Sequence, residues 1–244
     1  MRHRLAAACG AAVVVAVTTA GCGVLPPLPE PVPVDIVPTV APSLAPEGAE
    51  NLSPDGFDAV ERMAVRIRNV GCSALSTGSG FAIDEHTLIT NKHVVADSAE
   101  LEVSTYDGRD IAVDTASTAA LADLAVVRTE DPLPSYPDLA EGDPVAGDPV
   151  TVVGYPEGGA LTVTTGTVIG TAHDPLNANL GEVLVTDAPV EPGSSGSAAL
   201  DEEGHVIGVV YAKTADGQSL LVPLSTLQQM LDDDASFTPA ATCN

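Results

Sequence analysis

Tryptophan is absent from the 244 residues, and aromatics make up only 3% of them. This excludes a stacking platform for single-stranded nucleic acid and a sugar site walled by rings. Positive charge is as scarce. Nine Lys+Arg stand against 34 Asp+Glu, a formal net charge of −25. Such a surface repels phosphate backbones, so nucleic-acid partners are excluded. The four cysteines and five histidines form no CxxC or HxxxH spacing, so neither a metal nor another cofactor is expected. The apolar run over residues 5–20 falls short of the roughly 20 residues that span a bilayer. What is plentiful is aliphatic: 45% of the chain is hydrophobic and 18% charged. Val, Ala, Leu and Ile suffice for one or two β-rich domains.

Three segments follow from composition. Residues 1–22 read as an export signal: Arg2, His3 and Arg4 precede the apolar run, which ends in Thr19-Ala20-Gly21-Cys22. This end resembles a bacterial lipoprotein signal, with Thr19 in place of the usual leucine. The resemblance implies an exported chain, lipid-anchored through Cys22 to the outer face of the cell membrane. An ordinary secretory signal with an incidental Cys22 is the alternative. Residues 23–54 hold nine of the twenty prolines, and proline at that density favours an extended tether over sheet or helix. Residues 55–244 carry the folded body.

That body opens with one or two possible helical turns around Phe57 to Met63. Short β-prone runs follow, cut by glycine and proline. Residues 64–70, 80–83, 87–90, 101–106, 111–115 and 124–129 form one group, with Asp107-Gly108 as a hairpin signal. A Pro/Gly/acid-rich connector over 131–147 leads to a second group at 150–154, 161–171, 183–187, 197–200, 206–212 and 219–223. An amphipathic helix near 224–232 ends the pattern. The expectation is an all-β chain of two six-stranded antiparallel barrels with a short C-terminal helix. Strand counting leaves a single sandwich open.

Three segments carry chemistry. His93 follows an apolar strand in Leu88-Ile89-Thr90-Asn91-Lys92-His93-Val94-Val95, downstream of Gly78-Ser79-Gly80-Phe81. Asp123 heads the strand Leu124-Ala125-Val126-Val127, where a charge needs a partner because unpaired burial costs several kcal/mol. Glu191-Pro192-Gly193-Ser194-Ser195-Gly196-Ser197 is a tight turn whose glycines let backbone amides converge on one spot. Read singly, each is equally a structural histidine, a turn aspartate and a flexible Gly/Ser loop.

Together, the order His93, Asp123, Ser195 resembles the chymotrypsin/trypsin-like serine proteases, and among them the bacterial HtrA (Deg) type. Thr186-Asp187-Ala188-Pro189-Val190-Glu191-Pro192-Gly193-Ser194-Ser195-Gly196, Val153-Gly154-Tyr155-Pro156 and Val206-Ile207-Gly208-Val209-Val210 extend the likeness over roughly residues 64 to 231. The resemblance implies a serine endopeptidase acting on protein or peptide substrates in the cell envelope. Ser195 is the implied nucleophile, His93 the general base and Asp123 its orienting carboxylate; the Gly193 and Ser195 amides form the oxyanion hole. Ser194 and Ser197 are the rival nucleophiles. Two departures stand out: Ser197 replaces a family glycine, and Ser194 stands where digestive members carry a carboxylate. Activity without zymogen cleavage is therefore expected. HtrA proteins usually append a PDZ domain; the chain stops at Asn244, so no PDZ-mediated assembly is expected. An inactive relative that binds peptides is the second reading, and an esterase using the same triad a third.

By position, Pro189, Val190, Tyr211, Ala212 and Leu220 line the expected specificity pocket, which is uncharged and suits a small or medium aliphatic residue. Cys72 and Cys243 are the only thiols left in the exported domain. An even pair in an oxidising compartment points to a disulfide, with two separate thiols as the alternative. Cys72 precedes the glycine-rich approach to His93, which raises a redox-gated activity.

Overall fold

The computed structural model describes residues 57–176 and 181–243. The signal at 1–22, with Cys22, and the tether at 23–54 lie outside the described residues. Asp58 opens the fold: its carboxylate accepts the Glu61 amide at 2.8 Å and the Glu61 carboxylate accepts the Asp58 amide at 3.0 Å. This reciprocal cap starts the short helix α1 (Ala59–Met63).

The first group of aliphatic runs forms β1 (Ala64–Gly71), β2 (Leu75–Asp84), β3 (Thr87–Thr90), β4 (Ser98–Thr105), β5 (Asp110–Ile111), β6 (Val113–Ala119) and β7 (Ala125–Thr129), with helix α2 (Lys92–Val95) between β3 and β4. The second group forms β8 (Pro149–Gly154), β9 (Thr162–His173), β10 (Glu182–Thr186), β11 (Ala198–Leu200), β12 (Val206–Lys213) and β13 (Ser219–Pro223), followed by α3 (Leu224–Leu231) and β14 (Phe237–Pro239). The second group closes into a six-stranded antiparallel barrel in the order β10-β13-β12-β11-β8-β9. The first is a half-barrel sheet in the order β14-β6-β7-β3-β2-β1-β4-β5. The expected double barrel is thus present, and a single sandwich is not.

β2 starts five residues before the expected run, and helix α2 is not among the expected elements; two further differences concern the sheet order. The run at 111–115 divides at Ala112, because its amide donates to the Asp131 carboxylate at 3.1 Å and its carbonyl accepts the Glu130 amide at 2.9 Å. These bonds take Ala112 out of the ladder. The added strand β14 returns from the second half to pair with β6, Phe237 opposite Ala119 and Pro239 opposite Ser117. Beyond it, Thr242 bridges to Ser98, and Cys243 is bonded to Cys72 by a disulfide.

Three apolar clusters hold the unit together. Val65, Ile67, Leu88, Val103 and Val127 fill the first half. Val152, Leu184, Ile207 and Leu221 fill the barrel. Between them, Met63, Phe81 and Ile89 pack with Val153, Leu200, Val222 and Leu224. Each such side chain, fully buried, contributes about 1.5–3 kcal/mol. The middle cluster fixes one half against the other, and the candidate site lies along that seam.

Candidate active site

The register of two strands brings His93 and Asp123 together. β3 and β7 are antiparallel with Thr90 opposite Ala125. Three residues beyond Thr90 and two before Ala125 therefore meet at the same end of the sheet. His93 Nδ1 lies 2.5 Å from Asp123 Oδ2, and the His93 amide donates to Asp123 Oδ1 at 3.0 Å. Asn91, buried at the start of α2, donates its side-chain amide to the Asp123 carbonyl at 2.8 Å. Val94 and Val95 are the buried residues of the helix, and Asn69 of β1 closes its far end by donating to the Val94 and Ala96 carbonyls at 3.0 and 2.9 Å. The imidazole is half exposed, at 50%, against 25% for the carboxylate. The ring is thus reachable from solvent while its Nδ1 edge is held.

The turn at residues 191–197 stands on the other side of β2. A side chain at Gly78 would set its Cβ 2.6 Å from both Val94 methyls and 3.2 Å from the Ser195 carbonyl oxygen. Only a glycine lets the strand pass between the His93 helix and the Ser195 turn. Gly193 and Gly196 have φ of 94° and 87°, a left-handed backbone that favours glycine. A Cβ at Gly196 would also sit 2.1 Å from the Ser79 carbonyl oxygen.

Hydrogen bonds fix the peptide planes of this turn. The Pro192 carbonyl accepts the Glu157 amide at 2.5 Å, and the Ser194 carbonyl accepts the Ser197 amide at 3.0 Å. In a trans peptide the N–H points opposite the C=O. The Gly193 and Ser195 amides therefore face away from those bonds, and among the described residues neither has a partner. Two such amides are what an oxyanion requires.

The serines separate by burial. Ser195 is half-buried, whereas Ser194 and Ser197 are buried. The Ser194 hydroxyl accepts the Glu191 amide at 3.2 Å. The Ser197 hydroxyl occupies space left by Gly154, where a Cβ would meet it at 1.9 Å, and among the described residues it has no hydrogen-bond partner. This is how the turn accommodates the departure at Ser197. The other described histidines are occupied or remote: His86 Nδ1 contacts the Thr129 carbonyl, His205 Nδ1 the Asp201 carboxylate, and His173 ends β9.

The five expected pocket positions differ in burial and in the cluster they join. Pro189 is exposed and Ala212 half-buried. Val190 is buried in the barrel cluster, whereas Tyr211 and Leu220 belong to the middle cluster. The Tyr211 hydroxyl donates to the buried Asp174 carboxylate at 2.8 Å. Burial, then this bond, raises the Tyr211 phenol well above its ordinary range. Sequence reasoning overlooked Asp174, Glu157 and the ion pair of Lys213 with Glu191 at 2.9 Å beside the turn. Lys213 is the one cation in residues 129–244, and that isolation was the legible signal.

A model of the trypsin-like peptidase domain matches residues 78–209. The chain belongs to that family. Among curated relatives of this trypsin-like peptidase, the mitochondrial serine protease HTRA2 of Bos taurus is 33% identical over 166 residues, 64% of this chain and 36% of the relative. The serine endoprotease DegS of Escherichia coli is 32% identical over 179 residues, 66% of this chain and 50% of DegS. The chain thus spans about a third to a half of the length of these relatives. The crystal structure of the Rv3671c protease from M. tuberculosis in its active form superposes with a TM-score of 0.68 at 27% identity, covering 75% of this chain and 85% of that one.

Proposed function

We propose that the chain is an exported serine endopeptidase whose triad is Ser195, His93 and Asp123. The observation that carries this reading is the 2.5 Å contact of His93 Nδ1 with Asp123, at the seam where the Ser195 turn presents two unpartnered amides. Asp123 holds the imidazole with Nδ1–H donated to it, which leaves Nε2 as the base. Ser195 Oγ attacks the scissile carbonyl carbon as its proton passes to His93 Nε2. The carbonyl oxygen becomes an oxyanion, received by the Gly193 and Ser195 amides. The C–N bond then breaks, the leaving amine takes the proton from His93, and an acyl-enzyme remains. Water, deprotonated by His93, attacks the ester carbonyl; as the acyl C–O bond breaks, His93 returns the proton to Ser195 Oγ and the acid product leaves.

Substrates are peptides or proteins, with a small or medium aliphatic residue before the cut, a preference supported by the uncharged Pro189. The Ser194–Glu191 bond supports activity without zymogen trimming, because the turn is held from within. The work is envelope protein processing or quality control, from a lipid anchor at Cys22. No helix among the described residues is long and apolar enough to cross a membrane. Mass spectrometry of peptides containing Cys22 checks the anchor, and an unmodified Cys22 on a mature chain would defeat it.

Fluorophosphonate labelling of the purified chain tests the enzyme. Labelling should be stoichiometric and should disappear in Ser195→Ala. No labelling of the wild-type chain would reassign the fold to peptide binding by an inactive relative.

A further inference from the structure

Ser79 lies on β2, within the Gly78-Ser79-Gly80 segment, and none of the chemical steps above uses it. It is fully buried, at 0% exposure, yet all of its polar atoms are engaged. Its amide donates to the Ser195 carbonyl at 2.8 Å. Its hydroxyl donates to the Gly193 carbonyl at 2.8 Å and accepts the Tyr155 amide at 2.8 Å. Its carbonyl accepts the Thr90 hydroxyl at 2.6 Å. One residue of the half-barrel thus joins the nucleophile turn, the end of β8 and the strand leading to His93.

The bonds form a complete set. The carbonyls of Pro192, Gly193, Ser194 and Ser195 are each taken, by the Glu157 amide, the Ser79 hydroxyl, the Ser197 amide and the Ser79 amide respectively. Fixing a carbonyl fixes the N–H across the same planar peptide. Ser79 therefore orients the two peptide planes that flank the Ser195 amide, from the half that carries His93. The segment also passes through Gly78, between Val94 and the Ser195 carbonyl, so the turn and the His93 helix share one spacer.

We infer that Ser79 is a positioning residue for the oxyanion donors: it sets the turn in its reactive shape and registers it against His93. The side chain must be short to be buried here, and it must both donate and accept, which a hydroxyl does and alanine does not. The inference rests on the serine-peptidase reading.

The test compares the full wild-type chain with Ser79→Ala, using a fluorophosphonate probe and separating the maximal labelling rate, the half-saturating probe concentration and the final stoichiometry. The maximal rate should fall about 10–100-fold, because misplaced donors lose transition-state stabilisation. The half-saturating concentration and the stoichiometry should stay within about twofold. A merely structural Ser79 would lower the labelled fraction and leave the rate of the labelled fraction unchanged, and that outcome overturns the inference. A wild-type rate in Ser79→Ala overturns it as well. Ser79→Cys serves where Ser79→Ala fails to fold: it keeps the size but is a weak donor, so its rate should again fall at full stoichiometry, and an unchanged rate counts against the inference. A wild-type chain that does not label refutes the serine-peptidase reading itself, and the positioning role with it.

Discussion

Glu157 holds its amide 2.5 Å from the Pro192 carbonyl while adopting φ 57°. The left-handed region costs a non-glycine residue on the order of 1 kcal/mol. The bond it aims is one of those orienting the Gly193 amide, so the strained residue and the proposed oxyanion donor are neighbours across one peptide. Glu157→Gly should keep the labelling rate and raise thermal stability slightly. Glu157→Pro removes the donor and cannot reach this φ, so the rate should drop about tenfold or more. A proline variant that labels at the wild-type rate would dismiss the bond's role.

Asp123→Asn keeps the size of the side chain but not its charge, and it favours the wrong tautomer of His93. Turnover of a peptide substrate should fall about 10³–10⁴-fold with little change in KM. Circular dichroism and melting should stay near wild type, since β3 and β7 remain paired. A loss under tenfold would show that the carboxylate is not coupled to the base.

Alkaline pH should destabilise the fold in a defined window. Burial pushes the Tyr155 phenol up to about 12 from 10.0, and Tyr211 is raised as well, by burial and by its bond to Asp174. The folded state therefore prefers the protonated forms. The Tyr155 share of this stabilisation is complete below the unfolded value of 10.0 and is lost as pH climbs from there through about 12. Melting temperatures measured across that range should decline, and Tyr155→Phe should flatten the slope. An unchanged slope in Tyr155→Phe would remove Tyr155 from the account.

Reducing Cys72–Cys243 releases a link between residues 171 apart. Chain-entropy reasoning sets the loss at about 5 kcal/mol at most. Urea unfolding of the wild type and of the Cys72→Ser/Cys243→Ser double variant should differ by a good part of that. Labelling in both redox states also reports whether the link gates activity, because the Cys72 amide bonds to Asp97, four residues after His93. Equal midpoints would mean that the disulfide adds nothing to the fold.

The strand Thr87–Thr90 and the strand Ser219–Pro223 were legible residue for residue, because each is a short apolar run between turn signals. The meeting of His93 and Asp123 was legible from their order and flanking motifs. β14 was not: Phe-Thr-Pro is a weak strand, and its partner β6 lies more than a hundred residues upstream. Ser79 was equally hidden. Gly-Ser-Gly reads as a loop, and the burial that gives the hydroxyl its meaning comes from packing of the two halves. Tyr211 was marked for a pocket, but its partner Asp174 is 37 residues away, beyond the reach of local pattern.

The return of the C-terminal segment to the half-barrel bears on how the molecule is made. Ser98, near the start of the fold, waits for Thr242, and Cys72 for Cys243. The half that carries His93 cannot be finished until residues 237–243 have arrived. Contacts of such long sequence separation slow folding. Completion of the first sheet should therefore wait on residues 237–239, and a fragment ending before β14 would hold His93 and Ser195 without the strand that pairs with β6.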